Sequence, residues 1–177
     1  MITTGERIIL MTERNEFIEV LDKKIQEITE STAIEEDEAG NRSTALFTTT
    51  KDGGGISLFE TGFYDMWEDY PLLEIMITPQ FEVKTKYMPE VEKLISNFNY
   101  TIPFGHMGVQ YELERMYYRY VFSPDMEKSA EELADQTVEI YKRLAMIFGG
   151  VFELFERLAT GVSTFEEELE KDGNLKQ

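Results

Sequence analysis

Apolar residues recur at Phe17, Leu21, Ile25 and Ile28, spaced by four, four and three, which places them on one face of a helix. Thr12 occupies the N-cap position with Glu13 in the first turn, so the pattern predicts a helix over 13–29. Residues 35–41 then crowd like charge and turn formers together and predict an exposed loop. From 43 the period shortens, as Thr, Phe, Ile and Leu replace helix formers. Residues 43–50 and 56–63 read as a hairpin interrupted by Lys51-Asp52-Gly53-Gly54-Gly55. A third strand over 72–78, between Pro71 and Pro79, is nearly continuous in apolar residues, as a central strand is.

Pro89 suits a first helical position, and Val91, Leu94, Ile95 and Phe98 form one face of a second, short helix that Asn97 and Asn99 help to end. Residues 101–111 and 116–122 predict a second hairpin. Ser129 and Glu132 have the spacing of a capping box, where side chain and backbone satisfy each other's free groups, and helical period then holds to about Ala159. The expected order is α-β-β-β-α-β-β-α: an α+β fold with a five-stranded, mostly antiparallel sheet and helices on one face. Residues 1–163 read as a single domain and 164–177 as an acidic, frayed tail.

Several stretches carry a resemblance. They are Pro89-Glu90-Val91-Glu92-Lys93-Leu94-Ile95-Ser96-Asn97-Phe98-Asn99, the segment 105–115, and Met116-Tyr117-Tyr118-Arg119-Tyr120-Val121-Phe122-Ser123-Pro124. The element order is similar to that of class I type III secretion chaperones, and residues 88–125 resemble the core of the related YbjN family. That resemblance implies an acidic, dimer-forming, non-enzymatic protein of chaperone or signalling-regulator type, and supplies no catalytic residues. Phe63-Tyr64-Asp65-Met66-Trp67-Glu68-Asp69-Tyr70 departs from the family's pattern.

Charge narrows the function classes. With 35 acidic and 17 basic residues the chain carries −18, the wrong sign for gripping nucleic-acid phosphates or anionic lipid headgroups. No run approaches the roughly 20 apolar residues that span a bilayer. Without cysteine there is neither a disulfide nor a thiolate zinc site, and the first residues lack the marks of a secretory leader, so the expected compartment is the cytoplasm. Phosphate-loop, nucleophile-elbow, dinucleotide and paired-histidine zinc spacings are absent. No cofactor and no metal is expected. His106 is the only histidine, and the alternative to a binding module is a small-molecule or metal-dependent enzyme using it with nearby carboxylates.

Two surfaces suit a protein partner. Between 52 and 83 lie seven acidic residues and no Lys or Arg, and from these an acidic face is expected around Glu60, Asp65, Trp67, Glu68, Asp69 and Glu74, complementary to a basic, extended segment. Asp65, Glu68 and Asp69 read either as a solvated loop or as oxygen ligands for a hard cation, and Trp67 as a partner anchor or a ring folded back on the sheet. The helix over 129–160 would be about 48 Å long at about 1.5 Å per residue, against about 40 Å for a compact chain of this length. Its residues Phe148, Val151, Phe152, Leu154, Phe155 and Leu158 share an arc of about 160° and are expected to meet a partner or a second copy in a homodimer, the alternative being that the end of the helix folds onto the chain's own core. Gly149-Gly150 either kinks this helix or admits another one closely.

Overall fold

Ser129 and Glu132 cap each other as their spacing predicts: Ser129 N–H donates to Glu132 Oε2 at 3.1 Å, and Glu132 N–H donates to Ser129 Oγ at 3.3 Å. The helix they start is the longest element of the computed structural model, which describes residues 4–28, 32–38, 42–49, 56–64 and 71–171. In order, the elements are α1 (Thr4–Gln26), β1 (Thr32–Glu36), β2 (Arg42–Thr49), β3 (Ile56–Tyr64), β4 (Leu72–Pro79), α2 (Met88–Thr101), β5 (His106–Gln110), β6 (Arg115–Phe122), α3 (Ala130–Thr160) and α4 (Phe165–Lys171). The strands form one antiparallel sheet in the order β1-β2-β3-β4-β6-β5, so β4 is interior as its apolar run predicts.

Three expectations need correction. The sheet has six strands rather than five, because Thr32–Glu36, its last residues Glu35 and Glu36 expected as loop, pairs with β2 from Thr32 opposite Leu46 to Glu36 opposite Arg42. Its charge is tolerable because β1 is an edge strand, where carboxylates reach water. Helix α1 begins eight residues before Thr12, since Glu6, Arg7, Leu10 and Met11 are good helix formers and Thr12 lies inside the helix. Finally, part of the expected tail is helical. Thr164 N–H donates to Glu167 Oε2 at 2.8 Å and Glu167 N–H to Thr164 Oγ1 at 3.3 Å, a second capping box that opens α4.

The chain divides into two compact units. The first comprises residues 1–48, 58–76 and 120–145. Its core gathers Phe17, Ile18, Leu21 and Ile25 of α1, Phe59, Leu73 and Ile75 of the sheet, and Leu133, Tyr141 and Leu144 of α3. Phe17 meets Phe63 edge-on at 5.7 Å, and Phe59 meets Tyr141 likewise at 5.7 Å. Two polar clusters inside this core are paired: Tyr141 and Thr61 share a hydrogen bond between hydroxyls, and Asp22 accepts from Thr44 Oγ1 at 3.0 Å and Gln26 Nε2 at 2.6 Å. Lys24 ties α1 to the start of α3 through Glu131 at 2.9 Å and Asp135 at 2.8 Å.

The second unit comprises residues 49–57, 77–119 and 146–177. Tyr118 packs on Phe148 at 4.4 Å, Phe148 stacks on Phe152 at 5.2 Å, and Phe98 meets Phe155 at 5.7 Å. At edge strand β5, Met107 N–H donates to Asn99 Oδ1 at 2.7 Å while Asn99 Nδ2 donates to Met107 O at 3.0 Å. The carboxamide thus stands in for a neighbouring strand at that residue. Helix α3 closes in a Schellman motif, Val162 N–H donating to Arg157 O and Gly161 N–H to Leu158 O, with Gly161 at φ +76°.

Candidate functional site

Alternation along the strands separates a helix-facing side of the sheet from an open one. In β4 burial alternates strictly, with Leu73, Ile75 and Ile77 buried and Leu72, Glu74 and Met76 half-buried. In β3, Ser57, Phe59 and Thr61 are buried, and the residues that alternate with them, Leu58, Glu60 and Gly62, point to the other side. Within the first unit this open side carries Glu60 and Glu74 on adjacent strands, as the acid-rich sequence leads one to expect.

Glu35 of β1 and Ser43 of β2 complete the surface, and sequence reasoning missed both. Ser43 sits opposite Glu35 in the β1–β2 register and, across β3, a Cβ built on Gly62 would lie 3.0 Å from the Ser43 Cβ. A small residue facing a glycine leaves a dent in the sheet. The recess there has a volume of about 200 Å³ and is lined by Ser43, Glu60, Thr61, Gly62, Phe63, Glu74 and Met76. Burial first, then the charges of Glu35 and Glu74, raise the Glu60 pKa above its ordinary value. Three carboxylates therefore share one field, and the half-buried member is the one most relieved by an incoming cation.

Of the other residues expected on this face, Asp65, Trp67, Glu68 and Asp69 lie outside the described residues, so their cation-ligand and anchor readings stand as sequence expectations. Among the described residues, no grouping of His, Asp or Glu has the arrangement of a metal site. His106 is exposed on β5 with its ring edge-on to Tyr117 at 6.1 Å, and it lines neither this recess nor the open groove described below.

Of the two readings of the apolar stripe of α3, burial within the chain supports the intramolecular one. Phe148, Phe152, Phe155 and Leu158 are buried within the chain, and Val151 and Leu154 are half-buried. The stripe is core, so the partner contact expected there has no free aromatic surface to use. Nor do the glycines break the helix: α3 is α-helical through Gly149 and Gly150, and among the described residues, the chain neighbours and the helix's own backbone aside, no heavy atom lies within 4 Å of a Cβ built on either.

On the second unit, α2 and α4 border an open groove of about 770 Å³ lined by Pro89, Glu92, Lys93, Ser96, Asn97, Tyr100 and Phe165. Its cation is engaged, with Lys93 Nζ 3.0 Å from Glu90 and 2.9 Å from Glu166. Beneath α4, the buried carboxylate of Glu168 accepts from Arg157 Nε at 3.2 Å and Nη2 at 3.0 Å and pairs with Lys171 at 3.1 Å. The Arg157 guanidinium, with Lys171 beside it, lowers its pKa to about 2.

No known family model matches this chain, and no curated protein matches it in sequence. Among the described residues no helix is long and apolar enough to cross a membrane.

Proposed function

We propose that the chain is a non-enzymatic, cytoplasmic binding module that recognises a basic, extended segment of another protein, in the manner of a chaperone or regulator. The observation that carries this reading is Glu60, half-buried between Glu35 and Glu74 on the open side of the sheet and held against its own ionisation. A Lys or Arg side chain laid over the recess has its charge met by Glu60 and Glu74, while its stem runs beside Met76 and across the shallow Ser43–Gly62 floor. Such contacts favour orientation and on-rate and weaken as salt screens them. The resemblance to secretion chaperones and YbjN-like proteins implies an activity of the same kind.

Fluorescence anisotropy with a labelled peptide alternating Lys and Ser tests the proposal. Binding should fall several-fold in Glu60→Gln and in Glu74→Gln, and should weaken as salt is raised. Absence of binding, or affinity indifferent to both substitutions, discards it.

A further inference from the structure

In the second unit, too, alternation sorts the residues of the last two strands. Met107, Met116 and Tyr118 are buried, so His106, Gly108 and Gln110 of β5 and Arg115, Tyr117 and Arg119 of β6 lie on the open side. Register joins them in three cross-strand pairs: His106 opposite Arg119, Gly108 opposite Tyr117, and Gln110 opposite Arg115. Gly108 decides how the middle pair is arranged. A Cβ built there would come 2.6 Å from Tyr117 Cζ and 2.9 Å from Cε1, so the phenol ring takes the space that a side chain on β5 would fill and lies over that strand. The His106 ring meets it edge-on at 6.1 Å.

The charge of this surface is opposite to that of the chain. Neither 106–110 nor 115–119 contains Asp or Glu, although the chain as a whole carries −18. The carboxylate next to Arg115 in sequence, that of Glu114, is turned to Thr85, whose Oγ1 donates to it. Arg115 is exposed. Arg119 is half-buried and has contacts of its own, and its five N–H donors let it keep them and still receive a carboxylate. Four residues separate the two arginines, about 13 Å along a strand that rises about 3.4 Å per residue. An extended polypeptide has the same repeat, so the first, third and fifth side chains of a segment laid along β6 meet one arginine, the tyrosine ring and the other arginine in turn.

We propose that the open side of β5 and β6 docks an acidic, extended segment of another protein, with Asp or Glu at its first and fifth positions and an apolar residue at its third. Each carboxylate is received by a guanidinium, whose fork of donors matches it, and the apolar side chain lies on the Tyr117 ring. Single-stranded nucleic acid fits less well: a phosphate on every nucleotide multiplies the repulsion from a chain of −18, whereas a segment with two carboxylates presents only the charges that the arginines neutralise. The surface shares no residue with the Glu60 recess and takes a ligand of the opposite charge, so the two readings stand or fall separately.

Fluorescence anisotropy tests the docking, with a labelled peptide that carries glutamates at its first and fifth positions and leucine at its third. Arg115→Gln and Arg119→Gln should each weaken binding several-fold with an unchanged circular dichroism spectrum, while Glu60→Gln and Glu74→Gln should not weaken it. Moving the second glutamate to the fourth position, which turns it to the far side of an extended segment, should also weaken binding several-fold. The proposal is overturned by a peptide that does not bind, by affinity that either arginine substitution leaves unchanged, by equal affinity for the two spacings, or by a single-stranded oligouridylate that binds these arginines more tightly than the peptide does.

Discussion

At Glu60, partial burial and the neighbouring carboxylates of Glu35 and Glu74 all disfavour the charged form. A raised carboxyl pKa means that the folded chain holds this proton more tightly than the unfolded one, so ionisation opposes folding as pH rises through the folded value. Glu60→Gln should therefore stabilise the chain near neutral pH, by less than about 1 kcal/mol given the exposed part of the group. The gain should shrink as pH falls toward the ordinary glutamate value of 4.5, which urea melts at several pH values would read. Tyr141 behaves differently: its buried hydroxyl pairs with Thr61, and Tyr141→Phe leaves Thr61 unpartnered in the core. Urea unfolding should show a loss of about 1–3 kcal/mol. The placement of Glu60 and Glu74 follows from strand alternation alone, whereas Glu35 was hidden because five residues of mixed polarity have too few periods to distinguish a strand from a loop.

Helix α4 has a single buried residue, Glu168, and that residue is a carboxylate held by Arg157 and Lys171. Glu168 has its pKa lowered to about 2 from 4.5, so its contribution is complete above 4.5 and is lost as pH falls through about 2. Hydrogen exchange in the α4 amides should accelerate over that interval, and Glu168→Gln should show fast exchange at neutral pH already. If α4 exchange instead follows the global unfolding of the chain at every pH, the clamp is not what holds it. The end of α3 is fixed by sterics: Gly161 combines φ +76° with a built Cβ that would overlap the Tyr87 ring, so Gly161→Ala should destabilise the chain by more than the about 1 kcal/mol of the left-handed conformation alone. Gly149→Ala, with open space around its Cβ, should stabilise the helix by about 1 kcal/mol in thermal melts.

The same comparison shows what an element's sequence can and cannot reveal. Ser129 and Glu132 announced the start of α3, and Thr164 and Glu167 carry the same signature for α4. The second signal was masked by the Glu-rich composition around it, since a short acidic helix has too little apolar periodicity to stand out and depends on Arg157, a residue of another element, for its place. The α3 stripe was ambiguous in a complementary way. A helical arc specifies which residues are apolar together, but whether Phe148 and Phe155 meet the chain's own Tyr118 and Phe98 or a second polypeptide is decided by tertiary packing.

For the molecule as a whole, the formal charge of −18 and the antiparallel sheet with a helix-facing and an open side are the features on which the proposed function rests. The α+β class and the order of most elements were legible because long apolar periods and Pro or Gly boundaries are local signals. The recess was not legible, because Ser43, Gly62, Glu60 and Glu74 come together only through strand register. The central claim is that this open acidic face receives a basic, extended polypeptide. Nuclear magnetic resonance of the labelled chain, titrated with the Lys-Ser peptide, addresses it at residue resolution. The account predicts shifts concentrated at Ser43, Glu60, Gly62 and Glu74 that diminish as salt is added; shifts centred instead on the Tyr100–Phe165 groove or on His106 would contradict it.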